Sequence, residues 1–445
     1  MSSLLTYLAM HSDSSAKSAR APLFQPKILT TLKTYDRAQF LADIFAGLTV
    51  ALVALPLSIA IAIASGAEPG VGLVTAVVAG FVISALGGSR VQIGGPTGAF
   101  IVVVYGVIAE HGYDGLVTAT FMAGIILVVS GWLRIGNLIR HVPEPVINGF
   151  TVGIAVIIAT SQLRDALGLQ ADKLPAEFFA KVEGMWAARN TLSLSAFAVT
   201  VATGILIVVL RRAWPKLPGI VFAVIAAALV VWLVGLRVET IGSRYGAIQS
   251  SLPMPRLPDL SPEKLAELFP SALTIAFLAG IESLLSAIVA DRMVAGKHRP
   301  NAEVVAQGIA NTASSLFAGL PATGAIARTA TNVRAGGRTP VAGIAHALFI
   351  LVFMLVAAPL ANYLPMPALA AILLLTAWNM AEVDELKERL SPKARLSDRA
   401  LLVLTMLLTV LVDLTVAIGV GVAIGLALRI SRRDIDPPEW HAPDR

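Results

Sequence analysis

The chain has 445 residues, 56% of them hydrophobic, 14% charged and none of them cysteine, with a formal charge of +6. A soluble domain carries about a quarter charged residues, so this composition argues against one, and the lack of cysteine excludes disulfides, thiol chemistry and cysteine-bound metal. The basic excess lies in loops between apolar runs and so does not argue for nucleic acid as a partner.

The start of the chain is polar and basic with no sustained apolar core, so no cleaved signal peptide is expected. Ser12 to Arg20 read as a disordered tail, Ala38 to Leu41 lead into the first apolar segment, and residues 1–42 as a whole are assigned to a cytoplasmic tail. Seven apolar segments follow, at 43–64, 70–87, 97–109, 115–133, 144–163, 192–210 and 218–236. After a long loop at 237–269 come seven more, at 270–290, 303–318, 326–333, 340–358, 364–380, 400–412 and 416–428, and a tail at 431–445. Most have the length a helix needs to cross a hydrocarbon core of about 30 Å. The predicted fold is an all-α membrane protein of fourteen transmembrane segments, with the repeats at 43–236 and 270–430.

Basic residues set the orientation. With the N-terminus in the cytoplasm, the short cytoplasmic loops hold sixteen Lys and Arg, from Arg90, Arg134 and Arg140 through Lys216, Lys297 and Arg338 to Lys393 and Arg399, and the five short outer loops hold none. The two long outer loops carry eight more, but long loops are largely exempt from the rule. Both termini are therefore expected in the cytoplasm, with the protein in the cell inner (plasma) membrane.

Two segments are too short to span. The third follows Gly94-Gly95-Pro96-Thr97-Gly98 and the tenth follows Gly319-Leu320-Pro321-Ala322-Thr323-Gly324. Thirteen helical residues reach only about 20 Å, so each of these segments is expected to enter as extended chain and turn helical near the midplane. The two breaks are 225 positions apart, Pro96 to Pro321, and each falls at the third span of a seven-span unit. An odd number of spans repeated in tandem inserts upside down the second time, which gives two inverted repeats with a binding site at the paired breaks. Tight helix packing is the plainer account of the glycines, but it does not explain their equivalent positions.

Half-helices that begin near the midplane from opposite sides point their N-termini at one another. Each N-terminus has free N–H donors and about half a positive charge, so the pair suits an anion. Arg328 falls in the first turn of the second half-helix, where a cation is unfavourable unless an anion binds beside it. It is read as a substrate ligand, the alternative being a structural ion pair with Glu282 or bonds to backbone carbonyls. Glu282, alone in the middle of the eighth segment, is read as a proton or sodium coupling group, against a structural bridge to Arg328. His346 reads as a packed core residue, Gln162 and Asn148 as helix contacts, and Asp413 as a solvated span end.

The stretch Gly87-Gly88-Ser89-Arg90-Val91-Gln92-Ile93-Gly94-Gly95-Pro96-Thr97 resembles the third-span approach of the sulfate permease (SulP) family of anion transporters. So do Asn148-Gly149-Phe150-Thr151-Val152-Gly153 with Ser161-Gln162, and Gly324 to Asn332 followed by Gly336-Gly337-Arg338-Thr339-Pro340-Val341-Ala342-Gly343. The resemblance runs over about residues 40 to 430, and the combination of these pieces is specific where each alone is weak. It implies a 7+7, uracil permease-like fold with spans one to four and eight to eleven as a core domain and the rest as a gate domain. It also implies substrate between spans three and ten, with spans one and eight beside it, lined by Thr97, Gly98, Ala327 and Arg328; Ser58, Ala99 and Thr329 are counted with them as candidate substrate ligands. Family substrates include sulfate, bicarbonate, chloride and dicarboxylates. This chain reads Pro56-Leu57 where the family has Pro-Gln, with Ser58 as the neighbouring polar group, and it stops about seventeen residues after its last span, where the family continues into a STAS domain.

The expected function is secondary active transport of a small anion, coupled to H+ or Na+ by Glu282, with core and gate alternating access. The partners are the anion, the coupling ion and the lipid bilayer, with a homodimer as a possible assembly; no cofactor or metal is expected. A nucleobase or ascorbate carrier of the same fold is the nearest rival, although its neutral substrate gives no reason for Arg328, and a passive anion channel differs little in sequence. An enzyme would need a nucleophile with its base, a metal cluster or a phosphate loop, and the sequence offers none of these.

Overall fold

The structure is a computed structural model that describes residues 24–134, 142–171, 174–215, 217–392, 394–412 and 414–432. Ser12 to Arg20, Arg140, Lys173, Lys216, Lys393, Asp413 and most of the 431–445 tail lie outside these residues.

The described chain is mainly helical, and eight helices among the described residues are long and apolar enough to cross a membrane. Helix α1 (Arg37–Ala64) opens with Asp36 capping the Gln39 amide at 2.8 Å. It starts six residues before the apolar segment does, its first turn and a half carrying Arg37 and Gln39 among apolar residues. Helix α2 (Pro69–Leu86) has proline at N1. Strand β1 is Gly94–Gly95. Helix α3 (Phe100–Trp132) is broken at Gly112, whose φ of 71° and ψ of 179° suit glycine alone; the loop expected at 110–114 is compressed into that joint.

Helix α4 (Glu144–Ala166) is followed by α5 (Phe178–Ala187), which lies inside the long connection, and by α6 (Leu194–Ala213) and α7 (Gly219–Val234). Helix α8 (Pro262–Val294) begins eight residues before the expected start at 270, with Pro262 at N1, Glu263 in its first turn and Pro270 inside it. Then come α9 (Pro300–Leu316), β2 (Thr323–Gly324), α10 (Ile326–Arg334), α11 (Pro340–Ala357), α12 (Met366–Ala381), α13 (Val383–Arg389), α14 (Leu396–Leu411) and α15 (Leu414–Arg432).

Two sets of helices result. In the first, α8 and α9 pack on α3, α1 and α2 pack on α11, and α9 packs on α2. In the second, α12 and α14 pack on α4, α6 on α12, α7 on α6 and α15 on α14. The backbones come close where small residues meet: a Cβ on Gly124 would lie 2.7 Å from the Gly308 oxygen, so α3 and α9 touch main chain to main chain there. The packing is reciprocal, since α9 lies on α3 as α2 lies on α11, and α14 on α4 as α6 on α12.

Candidate substrate site

The two glycine-rich breaks meet as extended chain. Gly94 stands opposite Gly324 and Gly95 opposite Thr323 in an antiparallel pair. Ala325 N–H donates to the Ile93 carbonyl at 2.8 Å, and Ile93 N–H donates to Thr329 Oγ1 at 3.0 Å. A side chain at Gly94 would run into Ile83, and one at Gly324 into Gln92, so the crossing needs both glycines. Helices α3 and α10 then start next to each other, capped by Ala99 and Ala325, neither of which offers a side-chain acceptor. At α3 the Phe100 and Ile101 N–H groups donate to the Thr97 and Gly98 carbonyls at 3.3 and 3.1 Å, whereas the first-turn N–H groups of α10 are left without an intrahelical partner, and a positive end of each dipole stands at the crossing.

Arg328 is 1% exposed, and its guanidinium is turned inward. Nη2 donates to Ser58 Oγ at 3.1 Å and to the Pro96 carbonyl at 3.1 Å, while Nη1 is buried without a partner. Glu282 is half-buried and accepts from Thr97 Oγ1 at 2.8 Å. No ion pair joins Arg328 to Glu282, so of the alternatives weighed for the arginine the backbone carbonyl is present and the bridge is not. The contacts are crossed. Ser58 of α1 reaches the arginine of α10, and Glu282 of α8 reaches the threonine ahead of α3.

The other expected residues gather round the same crossing. Gly98, Ala99 and Thr329 are buried, Thr97 is half-buried, and Ala327 is exposed. Gly98 faces the second helix set, since a Cβ on it would lie 3.2 Å from Met380 Sδ of α12 and 3.7 Å from Ile158 Cδ1 of α4. The two helix ends therefore stand where the sets adjoin, with no His, Cys, Asp or Glu cluster fit for a metal among the described residues.

Sequence reading missed the polar scaffold behind the site. Glu303 is fully buried; its Oε2 accepts from the Gly88 and Ser89 amides at 2.8 and 3.0 Å, and its Oε1 from Ser283 Oγ and Gln307 Nε2 at 3.2 and 2.9 Å. Gln92 Nε2 donates to the Ser283 carbonyl at 3.1 Å, and Asn311 brackets Ala322 with bonds of 2.8 and 2.9 Å. The signal was available: Glu303, Gln307 and Asn311 recur at four-residue spacing, a polar stripe along one face of the helix. His346 and Gln162 are buried. Asn148, with its carbonyl oxygen turned toward Arg389, accepts from Nε at 2.8 Å.

The sequence profile described as the sulfate permease family matches residues 40–407. This chain belongs to that family. Among its relatives, "Putative sulfate transporter YvdB" of Bacillus subtilis (strain 168) is 45% identical over 362 residues, covering 81% of this chain and 68% of the relative. The bicarbonate transporter BicA of Picosynechococcus sp. is 32% identical over 364 residues, covering 79% of this chain and 64% of the relative. The chain thus spans about two thirds of the length of those relatives. Among solved structures, the transmembrane domain of a cyanobacterial BicA superposes with a TM-score of 0.78 at 30% identity, covering 86% of this chain and 98% of that one. The overall structure of SLC26A9 matches with a TM-score of 0.82 at 18% identity and supports the fold alone. These sulfate permease family relatives are membrane transporters rather than enzymes.

Proposed function

We propose that the protein is a secondary active transporter of a small inorganic or carboxylate anion, with sulfate and bicarbonate as the first candidates. The observation that carries this reading is the antiparallel crossing at Gly94 and Gly324, which sets two helix N-termini and the buried Arg328 in one place. Backbone N–H groups at a helix start bind anions without any side chain, and a cation among them is favourable when an anion neutralises the three positive ends. In the occupied site the anion bridges the first turns of α3 and α10, with Thr97 and Thr329 as neutral donors beside it.

The reciprocal packing supports fourteen spans as a 7+7 inverted repeat, the first helix set being the core and the second the gate. Gly98 against Met380 and Ile158 supports a seat for the anion on the seam between them, where relative movement of core and gate would expose it to alternate sides. Glu282, tied to Thr97, is the coupling group for H+ or Na+: when it binds its ion, Thr97 is released to the substrate. The basic loops put both termini in the cytoplasm of a cell whose inner membrane holds the protein.

The test is uptake into proteoliposomes from labelled sulfate, bicarbonate, chloride, a dicarboxylate and uracil, with and without an imposed proton or sodium gradient. At least one anion should accumulate against its own gradient, and uracil should not. Accumulation of uracil alone, or anion flux that only dissipates its gradient, would replace this reading with a nucleobase carrier or a passive channel.

A further inference from the structure

Helix α5, in the long connection after α4, buries its one lysine. Lys181 is 5% exposed and Met185, one turn on, is 6% exposed, while Phe179 and Trp186 are 63% and 68% exposed. The amphipathic order is thus reversed, with a cation on the inner face and aromatics outside, although burial of an unpaired charge is unfavourable. Lys181 Nζ lies 4.6 Å from the centroid of the Tyr105 ring of α3 and donates to Ser161 Oγ of α4 at 3.3 Å. Among the described residues no carboxylate lies within 4.0 Å of it. Burial lowers its pKa, and no neighbouring acid offsets that. Arg164, one turn beyond Ser161 on α4, has a buried Nε without a partner. The nearby Asp165 is engaged elsewhere, with Arg244 at 2.8 Å.

The position lines up with the crossing along α3 and α4. Gly98 stands just ahead of α3 and Tyr105 lies seven residues further along it, while Ile158, Ser161 and Arg164 follow one another along α4 about a turn apart. Seven residues rise about 10 Å. Two cations without a carboxylate partner among the described residues therefore stand about two turns along from the crossing, beside α3 and α4, and α4 is also one of the helices that flank Gly98. Tyr105 Oη donates to the Leu174 carbonyl at 2.9 Å, which ties the connection down over them.

We infer that Lys181 and Arg164 form an outer anion station, at which a small oxyanion entering from outside pairs with both cations before it passes inward to the crossing. The aromatic ring and the hydroxyl hold the ammonium while the station is empty, and both are weaker partners than an anion. The inference rests on the sidedness and anion chemistry proposed above, and its test separates the two. In oriented proteoliposomes, with whichever of sulfate or bicarbonate is transported, Lys181→Gln and Arg164→Gln should each raise the KM for entry at the outer face by about tenfold, the low end of what focused charge supplies. KM from the cytoplasmic face should hold, Lys181→Arg should recover most of the loss, and Arg189→Gln, an exposed cation on the same connection, should change nothing. A second arm needs no transport. With cysteine at 181 in the otherwise cysteine-free chain, an anionic methanethiosulfonate should react faster than a cationic one, and sulfate or bicarbonate at constant ionic strength should slow it. An equal KM change from both faces, an equal effect of Arg189→Gln, or reagent rates indifferent to charge would overturn the station. Failure of the wild type to move any anion would instead overturn the transport reading, leaving the thiol arm to decide the station.

Discussion

Glu303→Ala and Glu303→Gln should separate a scaffold carboxylate from a mere buried acid. Glu303 is fully buried and accepts four hydrogen bonds, two of them from the Gly88 and Ser89 amides that turn the chain toward β1. Alanine strands both amides, and a buried donor left without an acceptor costs about 1–3 kcal/mol. Ser283 can turn its hydroxyl to its own helix, so the amides dominate and the loss should come to about 2–6 kcal/mol. Glutamine keeps an oxygen for the two amides and presents its NH2 to Ser283 Oγ and to Gln307. The Gln307 Oε1 has no partner in the native protein and accepts once that amide turns over. Glu303→Gln should therefore lose less than about 1.5 kcal/mol. Thermal unfolding of detergent-purified variants, followed by far-ultraviolet circular dichroism, reads the difference. A melting temperature for Glu303→Ala no lower than that of Glu303→Gln would show that the amides find other acceptors, and the scaffold argument would fall.

Three further outcomes are expected. Arg328→Ala should weaken binding of the transported anion, measured by titration calorimetry, by about 1–3 kcal/mol, with Arg328→Lys recovering part because charge returns without the fork geometry; unchanged affinity would leave the arginine as a brace for Pro96. Glu282→Gln should uncouple anion uptake from an imposed proton or sodium gradient while counterflow exchange persists, and gradient-driven uptake at the native rate would remove Glu282 from the coupling. For orientation, a cysteine at Glu110 should react with an impermeant maleimide from outside intact cells and one at Lys297 should not, both positions being exposed; the reverse pattern would invert the topology.

The spans and the paired breaks were legible because they are local. Apolar runs and glycine clusters sit within a few residues of the structure they cause, as at α2, α11 and the approaches to α3 and α10. What the arginine binds was not legible. Its partners, Ser58 and Pro96, are 270 and 232 residues away, and nothing near Arg328 specifies a carbonyl over a carboxylate. The same holds for Glu303, whose amide partners are 215 and 214 residues off. The early start of α8 and the whole of α5 were missed for another reason. The first turns of α8 carry Glu263, Lys264 and Glu267, α5 is only ten residues long, and apolar runs of membrane-crossing length register neither.

The two-residue ladder at the crossing also links the lengths of the two halves. A one-residue shift in an antiparallel pair turns every side chain to the opposite face. An insertion or deletion between Ile93 and Thr97 would slide Gly94 off Gly324, bring a bulkier residue against Ile83 or Gln92, and rotate the start of α3 by about 100°. The same change between Ala322 and Ala325 would do so to α10. Length variation should therefore collect in the long connections, after α4 and α7, while the spacing at the crossing stays fixed on both sides.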